Sequence, residues 1–244
     1  MLALALAAVL PTACGGGGEG EPSPTPAPPA VTAEERAAAE TILRAASLPG
    51  EDLPQGFTFQ EERFLTNEES AAEESHYAGV EDLNRWGQIL RYEVTYQREI
   101  PPTLTGATIS LAVTTVLYRD EAGARNALDF ERLRASSPES LLDTLAWPAY
   151  SELNVGEASV SPISVGGIGD DRATYQMEVP GSLPDIDSEL KFFGQLLFVR
   201  RGKAIGSLAM VAVGSPHPVK ELEALARTLD EHMKDALELG APET

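Results

Sequence analysis

Three histidines, one cysteine and a few short acidic and basic runs are the residues of this 244-residue chain whose types could do chemistry. His76 stands in an acidic stretch, His217 between two prolines, and His232 among the apolar repeats of the C-terminal segment. No two of them share the spacing that sets a pair of metal ligands on one helix face. The lone cysteine, Cys14, excludes an intrachain disulfide and a multi-cysteine zinc site. A serine nucleophile needs a setting such as G-x-S-x-G, which is absent, and Gly181-Ser182 and Gly214-Ser215 read as turn and helix-start residues. Asp185, Asp187 and Glu189 alternate, and Asp170-Asp171 follows glycines, so either group could gather oxygens for calcium. Neither has the internal glycine and terminal bidentate glutamate of a twelve-residue calcium loop, and polar loops explain both. Gly167-x-Gly169 is too short for a dinucleotide fingerprint and precedes a strand instead of a helix. The expectation is a protein that is not an enzyme and has no metal or cofactor.

Two groups remain as binding candidates. Arg200, Arg201 and Lys203 form a positive spot that could meet lipid headgroups or an acidic partner, although charged hairpin tips are usually just hydrated. Phe193, Met177 and Met210, with Phe192 and Phe198, could line an apolar pocket between sheet and helices, or form ordinary core.

The formal net charge is −20, and residues 1–29 carry only Glu19 and Glu21, which leaves −18 on the rest. Such a surface repels phosphate backbones, so nucleic acid is not an expected partner. A hydrophobic content of 43% is enough to bury a core in one large domain or two small ones.

Leu2 to Leu10 is a leucine and alanine run too short to span a bilayer but of the size of a secretion-signal core, and the small residues Thr12 and Ala13 then precede Cys14. This stretch resembles a bacterial lipoprotein signal. Pro11 stands where that pattern usually has leucine, and no Lys or Arg precedes the run, which suggests that Met1 is an internal start. The resemblance implies cleavage after residue 13 and acylation of Cys14, with palmitate as an implied acyl group. Gly15 to Gly18 and the Pro, Ser and Thr-rich run to Pro29 offer no large apolar residue to bury and read as a tether of about 40–50 Å at full reach.

The elements follow from periodicity. Thr32 with Glu35 forms a capping box before a helix over 33–47, which Pro49-Gly50 ends. Phe57 to Phe64 is a short strand, and Thr66 or Asn67 caps an acidic helix through about Glu74. In residues 88–99, Leu90, Tyr92, Val94 and Tyr96 alternate with Arg91, Glu93, Thr95 and Gln97. Residues 108–118 alternate likewise, with Leu111, Val113, Thr115 and Leu117 inward. The pair reads as antiparallel strands with one face in water. Asp120 caps a helix through Arg134 that buries Ala124, Ala127 and Leu128, and Ser137-Pro138 starts a short helix that Trp147-Pro148 stops. Ser159 to Val165 is an edge strand because of Pro162, and Ala173 to Val179 is half-buried. Phe192 to Val199, a turn at Gly202, Ala204 to Val213 and a long helix through Leu239 complete the chain, the helix marked by Leu222, Leu225, Leu229, Met233 and Ala236.

Strand-turn-strand-helix thus occurs twice, at 88–134 and 192–239. The expected fold is α+β: one antiparallel sheet built from the two units, with their helices packed on its face. The expected division is a signal peptide at 1–13, the lipidated cysteine and tether at 14–31, and a single α+β domain at 32–244. The Leu53-Pro54-Gln55-Gly56-Phe57 turn, the Val116-Leu117-Tyr118-Arg119-Asp120-Glu121-Ala122 crossover, the Gly167-Ile168-Gly169-Asp170 turn and the Phe198-Val199-Arg200-Arg201-Gly202 hairpin resemble bacterial surface lipoproteins of uncharacterised function. More loosely they are similar to extracellular sensor domains of bacterial membrane serine/threonine kinases. The signal, the tether and the absence of a catalytic constellation point to a non-catalytic protein, lipid-anchored on the extracytoplasmic side of the cell membrane, that binds a small-molecule ligand or a protein partner. A carrier of lipids or other apolar molecules is the alternative, and an unrecognised hydrolase the third reading.

Overall fold

The computed structural model describes residues 29–73, 78–98, 107–144, 154–182 and 189–240. The signal, Cys14, the tether up to residue 28, His76, the Pro101-Pro102 connection, the Trp147-Pro148 stop, and Asp185 and Asp187 lie outside the described residues. In chain order the elements are α1 (Ala33–Ala46), a 3-10 turn (Gly50–Asp52), β1 (Thr58–Leu65), α2 (Asn67–Glu73), α3 (Val80–Arg85), β2 (Gln88–Gln97), β3 (Ala107–Tyr118), α4 (Glu121–Arg134), α5 (Pro138–Thr144), β4 (Asn154–Val155), β5 (Ser159–Pro162), β6 (Asp171–Ser182), β7 (Glu189–Arg201), β8 (Ala204–Val213) and α6 (Val219–Leu239).

Capping chemistry sets the helix starts as the sequence implies. The Thr32 hydroxyl accepts from the Glu35 N–H at 3.1 Å while the Glu35 carboxylate accepts from the Thr32 N–H at 2.8 Å. Thr66 and Glu69 repeat the same exchange ahead of α2, at 3.3 and 2.8 Å. Asp120 caps α4 through the Gly123 N–H at 2.8 Å. The helix α3 escapes a periodicity reading because its six residues hold one buried apolar side chain, Leu83.

Among the described residues all strand pairs are antiparallel, in the order β1-β2-β3-β8-β7-β6-β4, with β5 also on β6. The two units meet where β3 pairs β8, Leu117 opposite Ala204 and Leu111 opposite Met210. The α+β antiparallel fold is therefore as the sequence implies. The strands β6 and β7 outrun the expected segments because their pairing continues to Ser182 opposite Glu189.

Two expectations are corrected. The helices α4 and α6 lie on opposite faces of the sheet, not on one. The α1 and α6 side holds Leu43, Tyr92, Val113, Leu208, Leu229 and Met233, while the α4 side holds Val116, Leu128, Met177, Leu196 and Ile205. A two-fold rotation exchanging antiparallel β3 and β8 would bring both helices to one face, so the units share a pattern and not a symmetry. Secondly, the outer face of β2 is not in water: Arg91 and Glu93 are both buried. The C-terminal end of α4 comes over that face, and the two charges find partners beneath it.

Candidate ligand site: a cavity lined by buried ion pairs

Alternation puts Glu61 and Arg63 of β1, Arg91, Glu93 and Thr95 of β2, and Ala112, Thr114 and Val116 of β3 on the α4 side of the sheet. The helix α4 leaves this end of the sheet partly open, and the gap is a cavity of about 260 Å³. Its floor is apolar, from Ala112, Val116, Leu196, Phe198, Ile205 and Ala209, with the hydroxyl residues Thr95, Thr114 and Ser207 beside them. Its walls carry charge: Arg63, Arg91 and Arg134 against Glu61, Glu73, Glu93 and Glu131.

Glu93 is shared. Its Oε2 accepts from Arg63 Nε at 2.9 Å and Nη2 at 2.7 Å, and its Oε1 accepts from Arg91. Arg63 also donates to Glu73. On α4, Glu131 accepts from Arg134 Nε at 3.0 Å and Nη2 at 2.6 Å. The inner four side chains are nearly dry, at 9% and 11% exposure for Arg91 and Glu93 and 6% and 7% for Arg134 and Glu131, whereas Arg63 is 42% exposed. Burial alone would raise the Glu93 pKa, but the charges and hydrogen bonds of Arg91 and Arg63 outweigh it and hold the carboxyl below its ordinary value. Burial, with the Glu131 charge, pushes the Tyr118 hydroxyl far up, against a smaller opposing pull from Arg91. Near neutral pH Glu93 is thus ionised and Tyr118 protonated, so neither is poised to pass a proton. The arrangement can hold a ligand's charge and shelter its apolar part.

Buried ion pairs are a poor source of stability compared with apolar packing of the same volume. The signal for this site lay in β3, whose outer face reads Ala112, Thr114, Val116 and Tyr118 and is too apolar for water. That face had to be covered, and Arg91 and Glu93 beside it had to be covered too.

The residues singled out from sequence sit elsewhere. Met177 is buried on the α4 side and Met210 on the α6 side, so the sheet separates them. Phe193, 6% exposed, shares by alternation the α6 side of β7 with Leu197 and Val199. Phe198 alone of that group reaches the cavity. Arg200 donates to Asp170 at 3.4 Å and to the Gly202 carbonyl at 3.1 Å. Arg201 forks onto Asp230 of α6 at 2.8 and 2.5 Å, and Asp230 also accepts from the Gly169 N–H at 2.9 Å. These arginines therefore fasten the β7–β8 turn to the Gly169 turn and to α6. The half-buried Lys203 lends its carbonyl to the Tyr118 N–H at 2.9 Å. His217 is buried at the start of α6, and His232 bonds the Ser47 carbonyl at 2.8 Å, joining α6 to the end of α1. A second cavity, about 350 Å³, lies where Pro29 to Val31 meet Arg36, Asn67, Gln88 and Arg119. Arg119 holds the Ala30 carbonyl there at 3.3 Å.

Among the described residues no group of three or more His, Cys, Asp or Glu could hold a metal ion, and no helix is long and apolar enough to cross a membrane. No family model matches the chain, and no curated protein matches it. Among solved structures the chain is similar to the extracellular domain of PknH from Mycobacterium tuberculosis, at 10% identity and a TM-score of 0.44 over 83% of this chain and 97% of that one.

Proposed function

We propose that the protein is a non-catalytic, extracytoplasmic ligand-binding protein, anchored through a lipid on Cys14, whose ligand occupies the cavity between α4 and β1–β2. The observation that carries the reading is the cavity lining: four nearly dry charged side chains set around an apolar floor. A chain that needed only stability would fill such a space with apolar side chains. The anchor rests on the apolar run, the small residues before Cys14 and the Gly and Pro-rich tether behind it.

Two measurements test it. Mass spectrometry of the mature protein should find an acylated N-terminal Cys14, and an unmodified N-terminus at another residue overturns the anchor. Native mass spectrometry of the gently purified protein should find a small co-purified molecule that E93Q loses. Turnover of any ester, peptide or glycoside substrate would replace the binding role with a hydrolase. The apolar-carrier reading is the weaker one, because Phe193 and Met210, expected to line such a pocket, lie outside the cavity, and its walls are ionic.

A further inference from the structure

We propose that the ligand of this cavity carries a cationic head, a guanidinium, amidinium or ammonium, on a small apolar body, and that it binds by displacing Arg63 from Glu93. The inference rests on the cavity being the binding site. The charges lining it are arranged in two tiers. In the inner tier Arg91 and Arg134 balance Glu93 and Glu131, all four nearly dry. In the outer tier Arg63 faces both Glu61 and Glu73, which leaves one negative charge in excess.

The two signs of ligand charge meet different costs. An anion that draws Arg91 or Arg134 away from its carboxylate leaves Glu93 or Glu131 buried with a weakened partner in a site where desolvated charge is expensive, and one that turns to Arg63 meets the Glu61, Glu73 and Glu93 charges around it. A cation has an easier exchange. It takes the Glu93 Oε2 now held by Arg63 at 2.7 Å, while the released guanidinium, already 42% exposed, stays with Glu73 and water. Only the Arg63 end of the Arg63–Glu93 pair is in water, and the arriving cation keeps the dry Glu93 carboxylate compensated, so the exchange leaves no buried charge alone. The apolar body then covers Ala112, Leu196, Ile205 and Ala209, which in a space of about 260 Å³ suits a single ring or a short alkyl chain. The net charge of −20 adds to the preference by concentrating cations near the surface and repelling anions.

Arg63 is thus a resident occupant of the ligand's own charge site. The test titrates the full chain calorimetrically with three isosteric probes: benzamidine, a cation; benzamide, neutral; and benzoate, an anion. Benzamidine should bind about tenfold or more tightly than the other two, the scale set by a hydrogen bond to a charged group. Its complex should shift the backbone amide resonances of Ala112 and Ala209. Removing the competitor in R63Q should tighten benzamidine several-fold, R63K should behave like the unaltered protein, and E93Q should lose the preference for the cation. Arg63 lies at the rim, so R63Q keeps the fold, and a thermal melt verifies this. Weaker benzamidine binding in a folded R63Q overturns the displacement. Equal or tighter benzoate binding with the same amide shifts overturns the cationic head while leaving the cavity as the site. No binding by any of the three probes overturns both.

Discussion

At Glu93 the stability of the charged cluster and the proposed recognition of a cation fall on one residue. Two guanidiniums hold its carboxylate, one dry and one at the rim. Replacing it in E93Q leaves Arg91 buried beside a neutral amide, which should cost about 3–5 kcal/mol in urea unfolding at pH 7. The folded-state pKa of Glu93 lies below its ordinary 4.5, so its contribution is present above that value and is lost as pH falls through the folded one. The gap between E93Q and the unaltered protein should accordingly narrow in acid. The double variant R91M/E93L should recover most of the lost stability while abolishing cation binding, which separates the two roles. His217 gives a second pH dependence of different origin. Burial holds its imidazole below the ordinary 6.5, assisted by Arg98 and only partly opposed by Glu221. The unfolded chain takes up the proton first, so stability should decline as pH drops below about 6.5, until the folded-state value is passed. In H217N, urea midpoints measured through that window should fall less steeply.

At the scale of elements, legibility followed periodicity. The helices α1, α4 and α6 were readable because capping side chains and apolar stripes agree, as Thr32 with Glu35 and Asp120 with Ala124 and Leu128 illustrate. The strands β2 and β3 were readable in extent but not in environment, since alternation reveals which side chains share a face and not what covers the other one. The site was hidden for that reason: Arg91 and Glu93 look like solvent residues until α4 is placed over them. One contact of α4 was equally invisible. A Cβ built on Gly123 would stand 1.8 Å from the carbonyl oxygen of Trp86, so the first turn of the helix touches the backbone just ahead of β2. Helix propensity alone favours alanine there by about 1 kcal/mol. The clash with a main-chain atom reverses the sign, and G123A should destabilise by about 1–3 kcal/mol as an overpacking change. Because α4 supplies Glu131 and Arg134 to the cavity, the same variant should also weaken benzamidine binding, which a purely local loss would not do.

At the scale of the molecule, the pairing of β3 with β8 makes one sheet of two similar units, and the opposed helices make that sheet the middle of three layers. Each unit alone would leave one strand edge and one apolar face uncovered, so the two should unfold together. Leu229 of α6 tests this, since it is fully buried against the face that both units share. Truncation in L229A should cost about 2–5 kcal/mol, from lost transfer energy and the cavity left behind. If the sheet is one cooperative unit, hydrogen exchange in L229A should quicken by the same factor in β2, in the unit that lacks α6, as in β7, in the unit that contains it. Faster exchange confined to β7 and β8 would mean two semi-independent halves. The cavity would then depend on their contact as well as on α4, because its floor comes from β3, β7 and β8 while its charged rim comes largely from β1 and β2.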